Sequence, residues 1–156
     1  MTDWPHRLAS GAPIEARVAV VVAHPDDESL WAGALLGRLR DGLLIHLTDG
    51  APEDMADAAR SGFGSRQAYS DKRAAELRLA LRLLGYAGER RGYGLRDQSA
   101  VEHLPELTER LSADLRGAAV VATHAYEGGH PDHDAAALAV RRAATRSVSP
   151  CTVKVS

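Results

Sequence analysis

Five consecutive residues, His24-Pro25-Asp26-Asp27-Glu28, set one imidazole beside three carboxylates directly after the apolar run Val18-Ala19-Val20-Val21-Val22. Adjacent carboxylates that are partly shielded from water repel each other, and a bound cation is the simplest way to keep both ionised at neutral pH. A second polar cluster, His124-Ala125-Tyr126-Glu127-Gly128-Gly129-His130-Pro131-Asp132-His133-Asp134, follows the apolar run Ala118-Ala119-Val120-Val121-Ala122-Thr123. Open α/β sheets bind ligands at the carboxyl ends of their strands, so the two clusters are placed to converge on one site. Zinc in hydrolytic sites commonly takes three protein ligands from imidazole and carboxylate and keeps a fourth position for water. His24 and Asp27, across the strand-to-helix turn, supply two ligands and His133 the third. Asp26 then points elsewhere and can take a proton from the metal-bound water as a general base. In both His24-Pro25 and His130-Pro131 the proline biases the preceding histidine toward extended backbone, which helps to aim a ring.

The elements that must position these groups alternate between strand and helix. A strand is expected at about 17–23, after an irregular lead-in over 1–16. Leu30, Ala34, Leu35, Gly37 and Leu39 leave an apolar side that predicts a helix over 29–40, stopped at Asp41-Gly42. Leu43 to Leu47 reads as a second strand closed by Thr48-Asp49-Gly50, which makes a βαβ unit with a parallel sheet and a right-handed crossover. Residues 51–65 read as a polar excursion with weak helix, 67–84 as the longest helix, and 86–100 as loop or a poorly marked strand. Helices over 104–115 and 135–144, the latter opened by Asp134, flank a third strand at 118–123. The fold class is therefore α/β, a Rossmann-like three-layer sandwich with a mostly parallel sheet.

At 156 residues and 16.6 kDa the chain fits a single domain, 1–156, with no repeat or linker to divide it. A formal charge of −2 and a pI near 6.4 argue against a nucleic-acid or anionic-membrane partner, which would want a clustered positive field. No stretch approaches the ~20 apolar residues of a membrane span. The single cysteine, Cys151, cannot form an internal bridge and reads as an inert thiol. A cytoplasmic protein is expected. Neither G-x-G-x-x-G nor G-x-x-x-x-G-K-[ST] occurs, since Gly62-Phe63-Gly64 and Gly92-Tyr93-Gly94 stop short, which disfavours a nucleotide-binding protein.

Ala23-His24-Pro25-Asp26-Asp27-Glu28 and Gly129-His130-Pro131-Asp132-His133 resemble the two signature motifs of the PIG-L/LmbE-like zinc-dependent N-deacetylases. Leu47-Thr48-Asp49-Gly50, Arg73-Ala74-Ala75-Glu76-Leu77 and Leu84-Gly85 are similar to blocks between those motifs, so the resemblance covers about 17–145. It implies that His24, Asp27 and His133 bind Zn²⁺ and that Asp26 is the general base. It further implies that His130 stabilises the oxyanion or protonates the leaving amine, with Asp132 orienting His130. The implied reaction is attack of metal-bound water on an acetamide carbonyl, releasing acetate from an N-acetylated amino sugar or its conjugate. Arg73 and Tyr126 are candidates for substrate contact, and Glu28, Thr48 and Asp49 are weaker ones; His6, His46 and His103 receive no role. The family's chain continues further past the second motif, so the sheet is expected to be short at its C-terminal end, and the tail 146–156, with its change of composition, reads as atypical. Two other readings stand beside the deacetylase: another zinc amidohydrolase on a small amide, and a truncated module that binds metal without turnover.

Overall fold

The computed structural model describes residues 4–146 and 151–155. Strand β1 (Ile14–Val22) is rich in β-branched residues in its second half and is buried without interruption from Val18 to Val22, as a strand covered on both faces must be. It lies at the centre of a parallel sheet between β2 (Leu39–Thr48) and β4 (Val120–His124). With β3 (Glu89–Leu95) beyond β2 and β5 (Cys151–Val155) beyond β4, the spatial order is β3-β2-β1-β4-β5. The direction of winding reverses between β1 and β4, which opens a crevice at their carboxyl ends.

Successive side chains of a strand point to opposite faces, and the buried residues sort accordingly. Val18, Val20, Val22, Leu44, Val120 and Ala122 pack with Leu36, Leu77 and Leu81 of one helical layer. Ala19, Val21, Leu43, Ile45 and Val121 pack with Leu107, Leu111, Ala136 and Val140 of the other. The first layer holds α2 (Asp27–Trp31), α3 (Gly33–Leu36) and α5 (Arg66–Leu83). The second holds α6 (Leu104–Asp114) and α7 (Pro131–Arg146). The three-layer α/β sandwich expected from the sequence is the architecture observed.

The single helix predicted over 29–40 is replaced by α2 and α3, which meet at Ala32 (φ −110°, ψ 0°), and β2 begins at Leu39 where helix was expected. Packing explains the compact arrangement here. A Cβ on Gly37 would lie 2.5 Å from the Leu84 carbonyl oxygen, so this turn presses against the end of α5 as only glycine allows. The poorly marked segment 86–100 contains the edge strand β3, whose exposed positions carry charges that hide its period. Short helices also occupy Trp4–Ala9 (α1) in the lead-in and Ala56–Arg60 (α4) in the polar excursion. Helix α7 starts at Pro131, ahead of the predicted start, so Asp132 and His133 stand in its first turn. In the tail, Cys151–Val155 pairs in parallel with β4, while residues 147–150, residue 156 and the Cys151 side chain lie outside the described residues. No helix among the described residues is long and apolar enough to cross a membrane.

Candidate active site

The chain leaves β1 through a turn that is tied down at almost every atom. The His24 backbone N–H donates to Asp27 Oδ2 at 2.8 Å. Asp26, at the N-cap of α2, has φ 117° and ψ −31° and makes no side-chain cap bond. A non-glycine residue in such a conformation costs about 1–3 kcal/mol, which the surroundings must offset. Its N–H donates to Glu28 Oε2 at 3.0 Å. Glu28 is wholly buried; Ser29 Oγ donates to its Oε1 at 2.5 Å and His46 Nε2 lies 3.0 Å from Oε2. From α5, Arg73 donates to the Pro25 carbonyl and stands 3.1 Å from Asp26 Oδ2. Gly50 (φ +63°) completes the enclosure, because a Cβ there would come within 2.9 Å of the Pro25 ring.

The second cluster arrives from β4 and α7. His124, the last residue of β4, accepts the Ala23 N–H at Nε2 (3.1 Å) and stacks on His133 with ring centroids 4.0 Å apart. His133 Nε2 lies 3.3 Å from Asp27 Oδ1, and His124 Nε2 lies 3.3 Å from Asp27 Oδ2. His24 Nδ1 approaches the same Oδ2 at 3.4 Å, while its Nε2 faces Asp132 Oδ2 at 3.1 Å and Asp97 Oδ1 at 3.2 Å. The His130 ring meets the His24 ring edge-on at 4.7 Å.

The electrostatics follow from this crowding. Burial opposes charge on His24, but the carboxylates of Asp132, Asp27 and Asp97 outweigh it and raise the imidazole to about 11. Burial likewise opposes ionisation of Asp27, and the rings of His124 and His24 together with the His24 N–H hold it well below the usual carboxylate range. Glu28 and Asp132 are held low in the same way, Glu28 chiefly by His46 and Asp132 by His24 and two backbone N–H groups. Asp26 moves in the opposite direction: desolvation and the neighbouring carboxylates raise it against the pull of Arg73. His133 is lowered by burial and the nearby histidines.

The structure thus brings His24, Asp27, His130, Asp132 and His133 together, while the half-exposed Asp26 carboxylate, on the same turn, is paired with Arg73. Groups of side chains that could hold a metal ion include Asp27, His124 and His133, and also His24, His130 and His133. The expectation for Asp132 needs correction. Its carboxylate faces His24 and accepts the N–H groups of Gln98 (2.7 Å) and Ala100 (3.0 Å), and only its own backbone N–H reaches His130 Nδ1, at 3.2 Å. Arg73, read as a substrate contact, is occupied with the Pro25-Asp26 turn, and Asp49 with Arg66 at 2.6 Å. Thr48 Oγ1 donates to the Ala23 carbonyl at 3.0 Å, and Tyr126 is largely exposed. The sequence reading missed three neighbours: Asp97, His124 and His46. His124 and His46 could have been found from strand pairing, since β4 runs beside β1 and His46 is the register partner of Val22. Asp97 also lines a cavity of about 660 Å³ with Glu53, Arg96, Gln98 and Ser99.

Residues 19–144 match the family described as PIG-L: GlcNAc-PI de-N-acetylase. The chain is 30% identical over 146 residues to a 1D-myo-inositol 2-acetamido-2-deoxy-alpha-D-glucopyranoside deacetylase of Corynebacterium diphtheriae, covering 75% of this chain and 48% of that one. It is 30% identical over 139 residues to a probable N-acetyl-alpha-D-glucosaminyl L-malate deacetylase 2 of Bacillus subtilis, covering 85% and 62%. Among solved structures, the antimicrobial reagent A40926 pseudoaglycone deacetylase Dbv21 superposes with a TM-score of 0.71 at 22% identity, covering 85% of this chain and 60% of that one, a likeness of fold. The chain therefore spans between about half and just under two thirds of the length of these relatives.

Proposed function

The chain belongs to the PIG-L family of GlcNAc-PI de-N-acetylases, and from that membership we propose that residues 1–156 act as one deacetylase domain. Its reaction is the zinc-dependent removal of acetate from an N-acetylated amino sugar or its conjugate. The observation that carries this reading is the placement of Asp27, whose two carboxylate oxygens face imidazoles from three different segments of the fold.

The donor set fits a cation. Imidazoles and carboxylates converge, the buried Asp97 Oδ1 has His24 Nε2 beside it at 3.2 Å but outside good hydrogen-bond geometry, and His24 is drawn toward a positive charge by three carboxylates. His24, Asp27 and His133 would hold Zn²⁺, which when bound supplies Lewis-acid activation of water and of the acetamide carbonyl.

Asp26 accepts a proton as the water oxygen bonds to the carbonyl carbon. Its raised carboxyl suits this work, because a base is more effective as its pKa approaches the working pH. The Asp26 side chain is 56% exposed and its neighbour Asp27 only 8%, so one can face substrate while the other stays inside. His130, beside His24, gives a proton to the departing nitrogen as the C–N bond breaks, and acetate and a free amine leave. Asp132 anchors His24 and fixes the loop at Gln98 and Ala100.

Metal analysis of the purified chain, with acetate release measured on N-acetylglucosaminyl conjugates of inositol and of malate, tests the proposal. About one zinc per chain is expected, with His24→Ala and His133→Ala each losing most of it, because each removes one of three protein ligands. Full metal occupancy in both variants would refute the ligand set. Metal without release from any conjugate would favour the binding module.

A further inference from the structure

Asp26 occupies the N-cap of α2, where an aspartate ordinarily turns its carboxylate onto the amides of the first helical turn. Here it makes no such bond, and its φ of 117° belongs to a region that side-chain-bearing residues avoid. Glu28 captures the amide of this same residue: the Asp26 N–H donates to Glu28 Oε2 at 3.0 Å. This resembles the backward reach of a capping-box glutamate, made one residue closer to the cap. The arrangement is costly, since Glu28 has no exposed surface and a buried carboxylate destabilises a fold unless its oxygens are satisfied. They are satisfied by Ser29 Oγ at 2.5 Å and by His46 Nε2 at 3.0 Å, the latter from the neighbouring strand β2. An apolar pair of similar volume would fill this space without that penalty but would leave the Asp26 amide unheld.

We propose that Glu28, backed by His46, is a positioning pair that holds the Asp26 backbone in its unfavourable conformation and thereby frees the Asp26 carboxylate from capping and presents it to the reaction. The proposal rests on the reading of Asp26 as the base. Neither residue touches the reacting atoms; both act through Asp26, and Arg73 fixes the outer side of the same turn.

The test compares Glu28→Met, which removes the acceptor, with Glu28→Gln, which keeps one, and with His46→Phe, assayed well below each variant's melting temperature. Glu28→Met should lower kcat by about 10²-fold with KM within about twofold and zinc content unchanged, and Glu28→Gln should recover most of the loss. Adding Asp26→Asn to Glu28→Met should cause little further loss, because the two act in series; losses that multiply would overturn the proposal. A second arm needs no turnover. Asp26→Gly relieves the backbone strain and should raise the melting temperature by about 3 °C or more in the parent chain but not in Glu28→Met, where the turn has already relaxed. If Glu28→Met does not fold, His46→Phe takes its place in this arm. Should Asp26→Asn leave turnover intact, the base reading fails and the melting arm alone decides: an equal rise in both backgrounds would show that Glu28 does not hold Asp26.

Discussion

The turn after β1 and the turn before α7 deliver the same residue types, His-Pro-Asp, in two different ways. The first is held from far away. Its atoms are fixed by Arg73 from α5, His46 from β2 and His124 from β4, and its central residue would not keep its backbone conformation alone. The second has a regular helical backbone, although the Asp132 carboxylate also reaches outward to His24, Gln98 and Ala100. Asp132 and His133 sit in the opening turn of a regular helix, and the Asp134 carboxylate ties the approach by accepting the N–H groups of Glu127 at 2.9 Å and Gly128 at 3.1 Å. A strained turn clamped by the whole fold can give adjacent aspartates opposite environments, whereas a helix start can only present its residues at fixed helical spacing.

The sharpest way to break this contrast is at the adjacent aspartates. Asp26→Asn should leave zinc in place and slow hydrolysis by about 10²- to 10⁴-fold, roughly 3 to 5 kcal/mol of barrier, while Asp27→Asn should also weaken metal binding. Zinc content and rate for both variants decide it; loss of metal in Asp26→Asn would mean the roles are reversed. Asp132 comes next because it bridges the two regions. Asp132→Asn should weaken zinc by about 10- to 100-fold, the usual effect of removing the carboxylate behind a ligating histidine, in a competition titration against a chromophoric chelator. An effect on rate alone would return Asp132 to a role on His130.

Acid and base act on the two regions unequally in the metal-stripped protein. Asp27 and Glu28 of the first region and Asp132 of the second have carboxyls held low by folding. Their stabilisation is present above the unfolded value near 4 and drains away as pH falls below it. His24 is raised to about 11, so its contribution is complete below the unfolded value near 6.5 and is lost as pH rises toward 11. Urea unfolding across pH should therefore show the stripped chain losing stability below about pH 4 and again as pH rises from about 6.5 toward 11, with His24→Ala flattening the alkaline limb. A profile whose alkaline limb survives that substitution would contradict the contrast. The smallest effect is expected at Asp134→Ala, about 1 kcal/mol of stability with metal binding retained, measured by denaturant titration.

Much of this was legible in the sequence because it is local. The runs Val18–Val22 and Val120–Thr123, the βαβ order, and the helix later seen at Arg66–Leu83 follow from periodicity and punctuation. The converging motifs carried the site. What escaped depends on neighbours in space. The glycines at 33 and 37 answer to Leu84 at the end of α5, and β3 is polar because it lies at the sheet edge. His46 receives no role from the sequence because its partner, Glu28, comes from a different element, and the resemblance pairs Asp132 with His130, two positions away, when its carboxylate faces a histidine 108 positions away.

The pairing of β1 with β4, Val18 against Val120 through Val21 against Thr123, has a kinetic consequence. Ala23 and His124 are 101 positions apart, so closing the crevice means closing a long loop, a step of high contact order. Until those strands meet, His133 cannot approach Asp27, and an unfolded chain offers a metal ion only one half-set of ligands at a time. A metal that favours the assembled set deepens the native state by about 1.4 kcal/mol for each tenfold rise in its free concentration above the dissociation constant. If the strands pair late in folding, that gain slows unfolding and leaves the folding rate nearly untouched. The lifetime of the folded chain would then be set by the metal supply of its surroundings.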